Sequence, residues 1–165
     1  MDTAEQMMHY HINMAAMLQL GQWMDYLRQE GVYDNTWIII VADHGQTLRQ
    51  IPNMNDPEGA DMMSFNPLLM VKDFGSQALT MDETLMTNAD VPMLAMEGLI
   101  EDPHNPFTGK SMAENPKDGE LHLFVSRESS VTKNNGNQFL PGQWIALKDS
   151  LFSRDNWHYI DDPVQ

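Results

Sequence analysis

The sequence predicts an α/β chain, in which a helix-and-strand unit is followed by a small antiparallel β extension. Three observations carry this expectation. Met7, Tyr10, Met14, Met17, Gly21, Met24 and Arg28 follow the 3-4-3-4 spacing of one helical face, most of it apolar. Thr36-Trp37-Ile38-Ile39-Ile40-Val41-Ala42 is an unbroken apolar run rich in β-branched residues, the pattern of a strand covered on both faces. Leu121-His122-Leu123-Phe124-Val125, Gln143-Trp144-Ile145-Ala146-Leu147 and Trp157-His158-Tyr159-Ile160 are short strand-like runs near the C-terminal end.

The first helix has a start and a stop. Thr3 followed by Gln6 is a capping-box pattern, and the helix is expected to run to Gln29 or Glu30, where Gly31 tolerates the left-handed turn that ends it. The 36–42 run then reads as a central parallel strand. The loop over 46–64 has no periodicity and holds prolines, glycines, Asn and Asp. Pro67-Leu68-Leu69-Met70-Val71 reads as another strand, closed by turn chemistry in Lys72-Asp73-Phe74-Gly75. Asp90 can cap a second helix with Pro92 in its first turn, ending near Gly98. From 100 to 119 the chain is rich in Pro, Asn and Gly and reads as an extended surface segment. The turn between the next two strands falls on Asn134-Asn135-Gly136-Asn137.

Composition narrows the function classes. With 165 residues, of which 42% are hydrophobic and 20% charged, the chain is of single-domain size and can build a core. Its 24 acidic against 9 basic residues give a net charge of -15, which disfavours nucleic-acid backbones and anionic membrane surfaces. There is no cysteine, so thiolate chemistry and disulfides are excluded. No run reaches the roughly 18 apolar residues of a membrane span, and the N-terminus lacks signal-peptide features, so the chain as given is expected to be soluble. The 15 methionines are spread over several segments and read as adaptable core packing.

The chemistry-bearing motif is Asp43-His44-Gly45, which places two ligand-type side chains at the carboxyl end of a strand, where open α/β sheets build their sites. Asp and neutral His suit Zn, Mn, Mg or Ca. The bare tripeptide also has a structural reading, as an Asx turn or a helix cap.

Its context extends from Gly31-Val32-Tyr33-Asp34-Asn35-Thr36 through the strand to Asp43-His44-Gly45. This resembles the pattern G-x-Y-D-N-T, hydrophobic strand, D-H-G of the sulfatase-like family in the alkaline-phosphatase superfamily, shared by sulfatases, phosphoethanolamine transferases and lipoteichoic acid synthases. Two further stretches, Asn66-Pro67-Leu68-Leu69-Met70-Val71 and Thr87-Asn88-Ala89-Asp90-Val91-Pro92, resemble later segments of that family in the same order, the second at its D-[IV]-x-P-T motif. The resemblance covers roughly residues 7–110.

The resemblance implies a partial alkaline-phosphatase-like sheet with flanking helices over 1–118 and a small β extension over 119–165. It implies that Asp43 and His44 are ligands of a divalent ion, Mn, Zn, Ca or Mg, in a hydrolase or phosphotransferase acting on sulfate or phosphate esters. The ion lowers the pKa of a threonine, serine or formylglycine nucleophile and neutralises charge on the transferred group. That nucleophile and the first-strand acidic ligands belong to a segment preceding the resembling one, so no catalytic residue is assigned here and the isolated chain is expected to be inactive.

The resemblance also implies a cell-envelope or extracytoplasmic parent protein. It leans towards membrane-anchored phosphoglycerol or phosphoethanolamine transferases, because GVYDNT and NPLLMVKDF are closer to that branch. Some transferases carry another histidine about a dozen residues after the pair, where this chain has Asn55 and Asp56. The expected partners are the ester substrate, the missing N-terminal part of the same domain, and a second copy through the sheet surface left exposed.

Arg49, His104 and Lys110 are candidate contacts for an anionic substrate group, though for the last two the stronger reading is that they order the Asn105-Pro106-Phe107-Thr108-Gly109 loop between them. His9 and His11 read as surface or half-buried structural residues, and His122 and His158 carry no assignment. A reading of another class is a complete, non-catalytic binding or assembly module that keeps the strand and its Asp-His turn.

Overall fold

The computed structural model describes residues 3–49, 51–55, 61–111, 120–126 and 142–161. The chain is α/β in the broad sense, with helices and antiparallel sheets, and divides into two compact units, Met1–Met81 and Asp82–Gln165.

In the first unit, helix α1 spans Ala4–Gln29. Gln6 N donates to Thr3 Oγ1 at 3.1 Å and Thr3 N to Gln6 Oε1 at 3.3 Å, so the two side chains satisfy orphan N–H groups at the helix start. Gly31 ends the helix at φ 71°, as its position predicts. On α1 only Gln6 is buried, its Nε2 donating to Leu48 O at 2.7 Å. The apolar stripe of Met7, Tyr10, Met14 and Met17 is exposed along its length.

Strand β1, Ile38–Val41, pairs with β2, Leu69–Lys72, in antiparallel register from Ile38↔Lys72 to Val41↔Leu69. This corrects the expectation of a central parallel strand. Among the described residues, the connection from Ala42 to Leu68 contains one short 3-10 turn, Met62–Phe65, and no crossover helix of the kind parallel pairing requires. Ile38 alone is fully buried on β1, and Val41 is exposed. Among the described residues, Met54, Met62 and Met63 join Ile38 as the buried apolar residues of this unit, so methionine does pack this core, while those of α1 stay outside it.

In the second unit, helix α2 is short, Val91–Met96, with Pro92 in its first turn and Gly98 beyond it at φ 74°. Asp90 does not cap α2 through its side chain as expected. Its carboxylate turns back and accepts from Thr87 N at 2.8 Å and Thr87 Oγ1 at 3.1 Å, closing the preceding 3-10 turn instead.

Strands β3 (Glu120–Val125), β4 (Gln143–Lys148) and β5 (Trp157–Ile160) form the antiparallel sheet that the C-terminal runs predict, in the order β3-β4-β5. Ile145, Ala146 and Leu147 on the middle strand are buried, as is Trp157, whose Nε1 donates to Leu151 O at 2.9 Å. Phe124 and Trp144 pair edge-to-face across β3 and β4, centroids 5.3 Å apart. The turn predicted over 134–137 and the boundary at 118/119 lie outside the described residues.

No helix among the described residues is long and apolar enough to cross a membrane.

Candidate functional site

Asp43 and His44 lie one residue beyond β1, after Ala42, and their side chains are exposed. Ala42 N donates to Leu68 O at 2.9 Å and Gly45 N to Ser64 O at 2.8 Å, so the backbone on both sides of the pair is anchored. Gly45 has no room for a side chain: a Cβ there would collide with the carbonyl oxygen of Met63 and lie 2.7 Å from that of Asn66. The glycine of the motif is therefore required by close backbone approach, the use of glycine that follows from its missing Cβ.

The imidazole has a defined orientation. His44 Nδ1 lies 2.6 Å from Gly45 O, and since a carbonyl oxygen only accepts, Nδ1 is the donor; in the neutral ring the lone pair is then on Nε2. His44 N donates to Asp43 Oδ1 at 3.0 Å, holding the carboxylate beside the ring. Asp43 Oδ2 then stands 3.9 Å from His44 Nε2, with the side chains 90% and 67% exposed. Two oriented donor atoms facing one exposed space can hold part of a coordination sphere, whereas a four-coordinate ion needs more. Among the described residues no three or more His, Asp or Glu side chains are arranged to hold an ion.

Arg49 belongs to the same loop. Its backbone sits at φ 50°, and its N–H donates to Asp61 Oδ2 at 2.7 Å. Asp61 is buried and uses its other oxygen to accept from Met63 N at 3.0 Å, so one carboxylate pins the loop to the 3-10 turn that Gly45 packs against.

His104 and Lys110 lie in the second unit, at the two ends of a closed loop. Asn105 N donates to Lys110 O at 2.8 Å, and His104 and Ser111 form an isolated antiparallel bridge. His104 Nδ1 donates to Asp102 O at 2.7 Å, and both His104 and Lys110 side chains are exposed. The structure thus brings Asp43 and His44 together, keeps Arg49 on their loop, and places His104 and Lys110 in the other compact unit.

A cluster that the sequence pattern left unassigned stands on the three-stranded sheet. Glu120 lies between His122 and His158, and its carboxyl is held below the usual glutamate range. The hydrogen bond from His122 is the main cause; burial opposes it, and the charges of His122, His158 and Lys148 add to it. The E-x-H spacing on a strand, which puts both side chains on one face, was the sequence signal for half of this cluster.

Compared with known proteins, the chain matches no family model, no curated protein and no solved structure.

Proposed function

We propose that this chain supplies one part of the metal site of a sulfatase-like hydrolase or phosphotransferase acting on sulfate or phosphate esters. In this reading the two-stranded β1-β2 pair belongs to an alkaline-phosphatase-like sheet, and Asp43 and His44 are ligands of a divalent ion. The observation that carries it is the orientation of the pair: Nδ1–H of His44 is committed to Gly45 O, so Nε2 faces out beside the Asp43 carboxylate. A metal-binding imidazole needs its second nitrogen tied in this way.

Within this reading Asp43 and His44 contribute charge and a lone pair to an ion that activates a nucleophile supplied by chain outside these residues. The rigid Gly45 turn keeps the two donors in place, and Arg49 offers a cation on the same loop for an anionic ester. The parent protein would belong to the cell envelope.

The test uses the paramagnetism of Mn²⁺, an ion suited to carboxylate ligands. Added to the chain, Mn²⁺ is expected to broaden the backbone NMR signals around Asp43 and His44 first, and the Asp43→Ala, His44→Ala double variant is expected to lose that broadening. Broadening elsewhere only, or unchanged in the variant, sinks the reading. The chain alone is expected to show no turnover of phosphodiesters or sulfate esters; robust turnover abolished by Asp43→Ala would overturn the divided site.

A second reading, a non-catalytic binding or assembly module, is favoured by the exposed Met7, Tyr10, Met14 and Met17 stripe on α1. Mn²⁺ separates the two, because an assembly module has no need of a metal-binding pair.

A further inference from the structure

Helix α1 presents an apolar face that its own unit leaves uncovered. Met7, Tyr10, Met14, Met17 and Leu18 are 39–63% exposed, and every residue from 10 to 19 is exposed. A helix gains most of its stability by packing an apolar face, so one that is bare along its middle calls for a cover.

Gly21 indicates what kind of cover fits. It lies on the centre line of this face, one heptad after Met14. A Cβ at Gly21 would meet no described atom within 4 Å, and its backbone is helical. Neither crowding within the chain nor a left-handed turn therefore accounts for glycine here, inside a helix where only proline is a poorer former. Close approach of a second helix does account for it, because a missing side chain leaves a hole into which a facing side chain inserts.

We propose that α1 pairs antiparallel with α1 of a second copy of this chain, Gly21 of each copy receiving Met17 of the other. The 3-4-3-4 spacing of the face is the seam pattern of paired helices. Turning one helix end for end about a point level with Gln19 sets Met17 opposite Gly21, Met14 opposite Met24 and Tyr10 opposite Arg28. Each contact then occurs twice, as a twofold interface requires. The same alignment brings His11, whose ring packs against Tyr10 with centroids 5.6 Å apart, nearly level with the 67% exposed Asp25 carboxylate of the other copy. An imidazole N–H thus meets a carboxylate, whereas parallel pairing would set Asp25 against Asp25 and align the two helix dipoles.

Charge and area both suit a second copy. The net charge of -15 repels copies in general, but from Gln6 to Met24 the helix holds no Asp, Glu, Lys or Arg, so two chains meet here at the least electrostatic cost. Five large side chains at about half exposure offer roughly 100 Å² each, and two copies bring together roughly 1,000 Å² of apolar surface. Flanking Gln, Asn and His side chains carry the total to about 1,200 Å², the lower end of specific interfaces, which fits a dimer that forms at micromolar concentration. The pairing uses the helix and not an exposed sheet surface, and it does not depend on Asp43 or His44 binding an ion.

Sedimentation equilibrium of the full chain over micromolar concentrations tests the pairing and is expected to show a monomer in equilibrium with a dimer. Gly21→Leu is expected to weaken association about tenfold or more while raising the unfolding midpoint of the dilute monomer, since leucine is the better helix former and fills open space in its own chain. Met17→Lys is expected to weaken association as much, by placing a charge in the seam. The chain has no cysteine, so single nitroxide labels can be attached through Leu18→Cys or Met7→Cys. In the dimer the two labels at position 18 are expected within roughly 20 Å of each other, and those at position 7 about 36 Å apart, from 1.5 Å of rise per residue. A monomer at every concentration, open-ended oligomers, association indifferent to both Gly21→Leu and Met17→Lys, or short separations at both labels would overturn the proposal. Asp43→Ala with His44→Ala is expected to leave association unchanged, so failure of the helix pairing and failure of the sulfatase-like reading are distinguishable.

Discussion

Asn105 Nδ2 donates to Asp90 Oδ1 at 2.6 Å, and both side chains are buried. This bond connects two loops that the sequence presents as separate. Asp90 gives its other oxygen to Thr87, and Asn105 Oδ1 accepts from Phe107 N at 2.8 Å and Thr108 N at 3.1 Å. One amide and one carboxylate therefore organise both the start of α2 and the loop between His104 and Lys110.

Removing the amide leaves a buried carboxylate short of a donor and two backbone N–H groups short of an acceptor. Asn105→Ala is expected to destabilise the chain by about 1–3 kcal/mol, the range for orphaning a buried polar group. Asn105→Asp is expected to cost at least as much, since it sets two carboxylates against each other. Thermal or urea unfolding of the two variants checks both, and an unchanged midpoint for Asn105→Ala would refute the account.

At the Asp43-His44-Gly45 turn, stability and ligand capacity are expected to separate. Gly45→Ala places a methyl group against the carbonyls of Met63 and Asn66 and is expected to destabilise by more than about 1–3 kcal/mol, the usual cost of overpacking, because backbone rather than a flexible side chain must give way. Asp43→Ala and His44→Ala remove exposed side chains and are expected to change stability by no more than about 0.5 kcal/mol. Urea unfolding of the three variants makes the comparison.

Lys72 is buried at the end of β2, donating to Tyr33 O and, at 2.9 Å, to Thr36 O, with its ammonium 4.2 Å from the centre of the Tyr33 ring. The Arg28 guanidinium also stacks on that ring, at 4.0 Å. Lys72 thus ties β2 to the short 3-10 turn, Tyr33–Asn35, that leads into β1. Lys72→Met keeps the stem and removes the donors, and is expected to lower stability by about 1–2 kcal/mol, because Thr36 O loses its Lys72 donor, Tyr33 O keeps only the Thr36 N–H, and the cation over the Tyr33 ring is lost. Hydrogen exchange at Ile38 to Val41 should accelerate in the same variant.

The lowered carboxyl pKa of Glu120 gives a pH prediction for the metal-free chain. A group whose folded pKa lies below its unfolded value stabilises the fold above the unfolded pKa, about 4.3 for glutamate, and that contribution disappears as pH falls through the folded value. Between about pH 5 and pH 3 the native chain is therefore expected to lose more stability than Glu120→Gln, and the two curves should converge at the acid end. Unfolding midpoints in chelator-treated buffer at matched pH values provide the measurement.

Local chemistry was legible in the sequence. Thr3 with Gln6 and the later Gly31 bounded α1, because capping and left-handed termination depend on residues a few positions apart. The three C-terminal strands announced themselves by apolar runs, as did β1 and β2. The Asp43-His44 pair was visible as a motif, since a strand end followed by a glycine turn is itself a local pattern.

What the sequence could not decide was how those pieces meet. The run at β1 reads as a strand buried on both faces, yet its pairing is antiparallel and its end exposed, because direction and cover depend on where residues 42–68 return. Lys72, which reads as part of a turn, became the last residue of β2 through carbonyls more than thirty positions earlier. Asp90 reads as the cap of α2, whereas in the fold its carboxylate accepts from nearby Thr87 and from the distant Asn105. His122 and His158 had no assignment until the register set them on either side of Ala146. Capping, turn and strand propensity are properties of neighbouring residues and so belong to the sequence; burial, strand direction and the company a polar side chain keeps belong to chain segments far apart, and only the tertiary structure decides them.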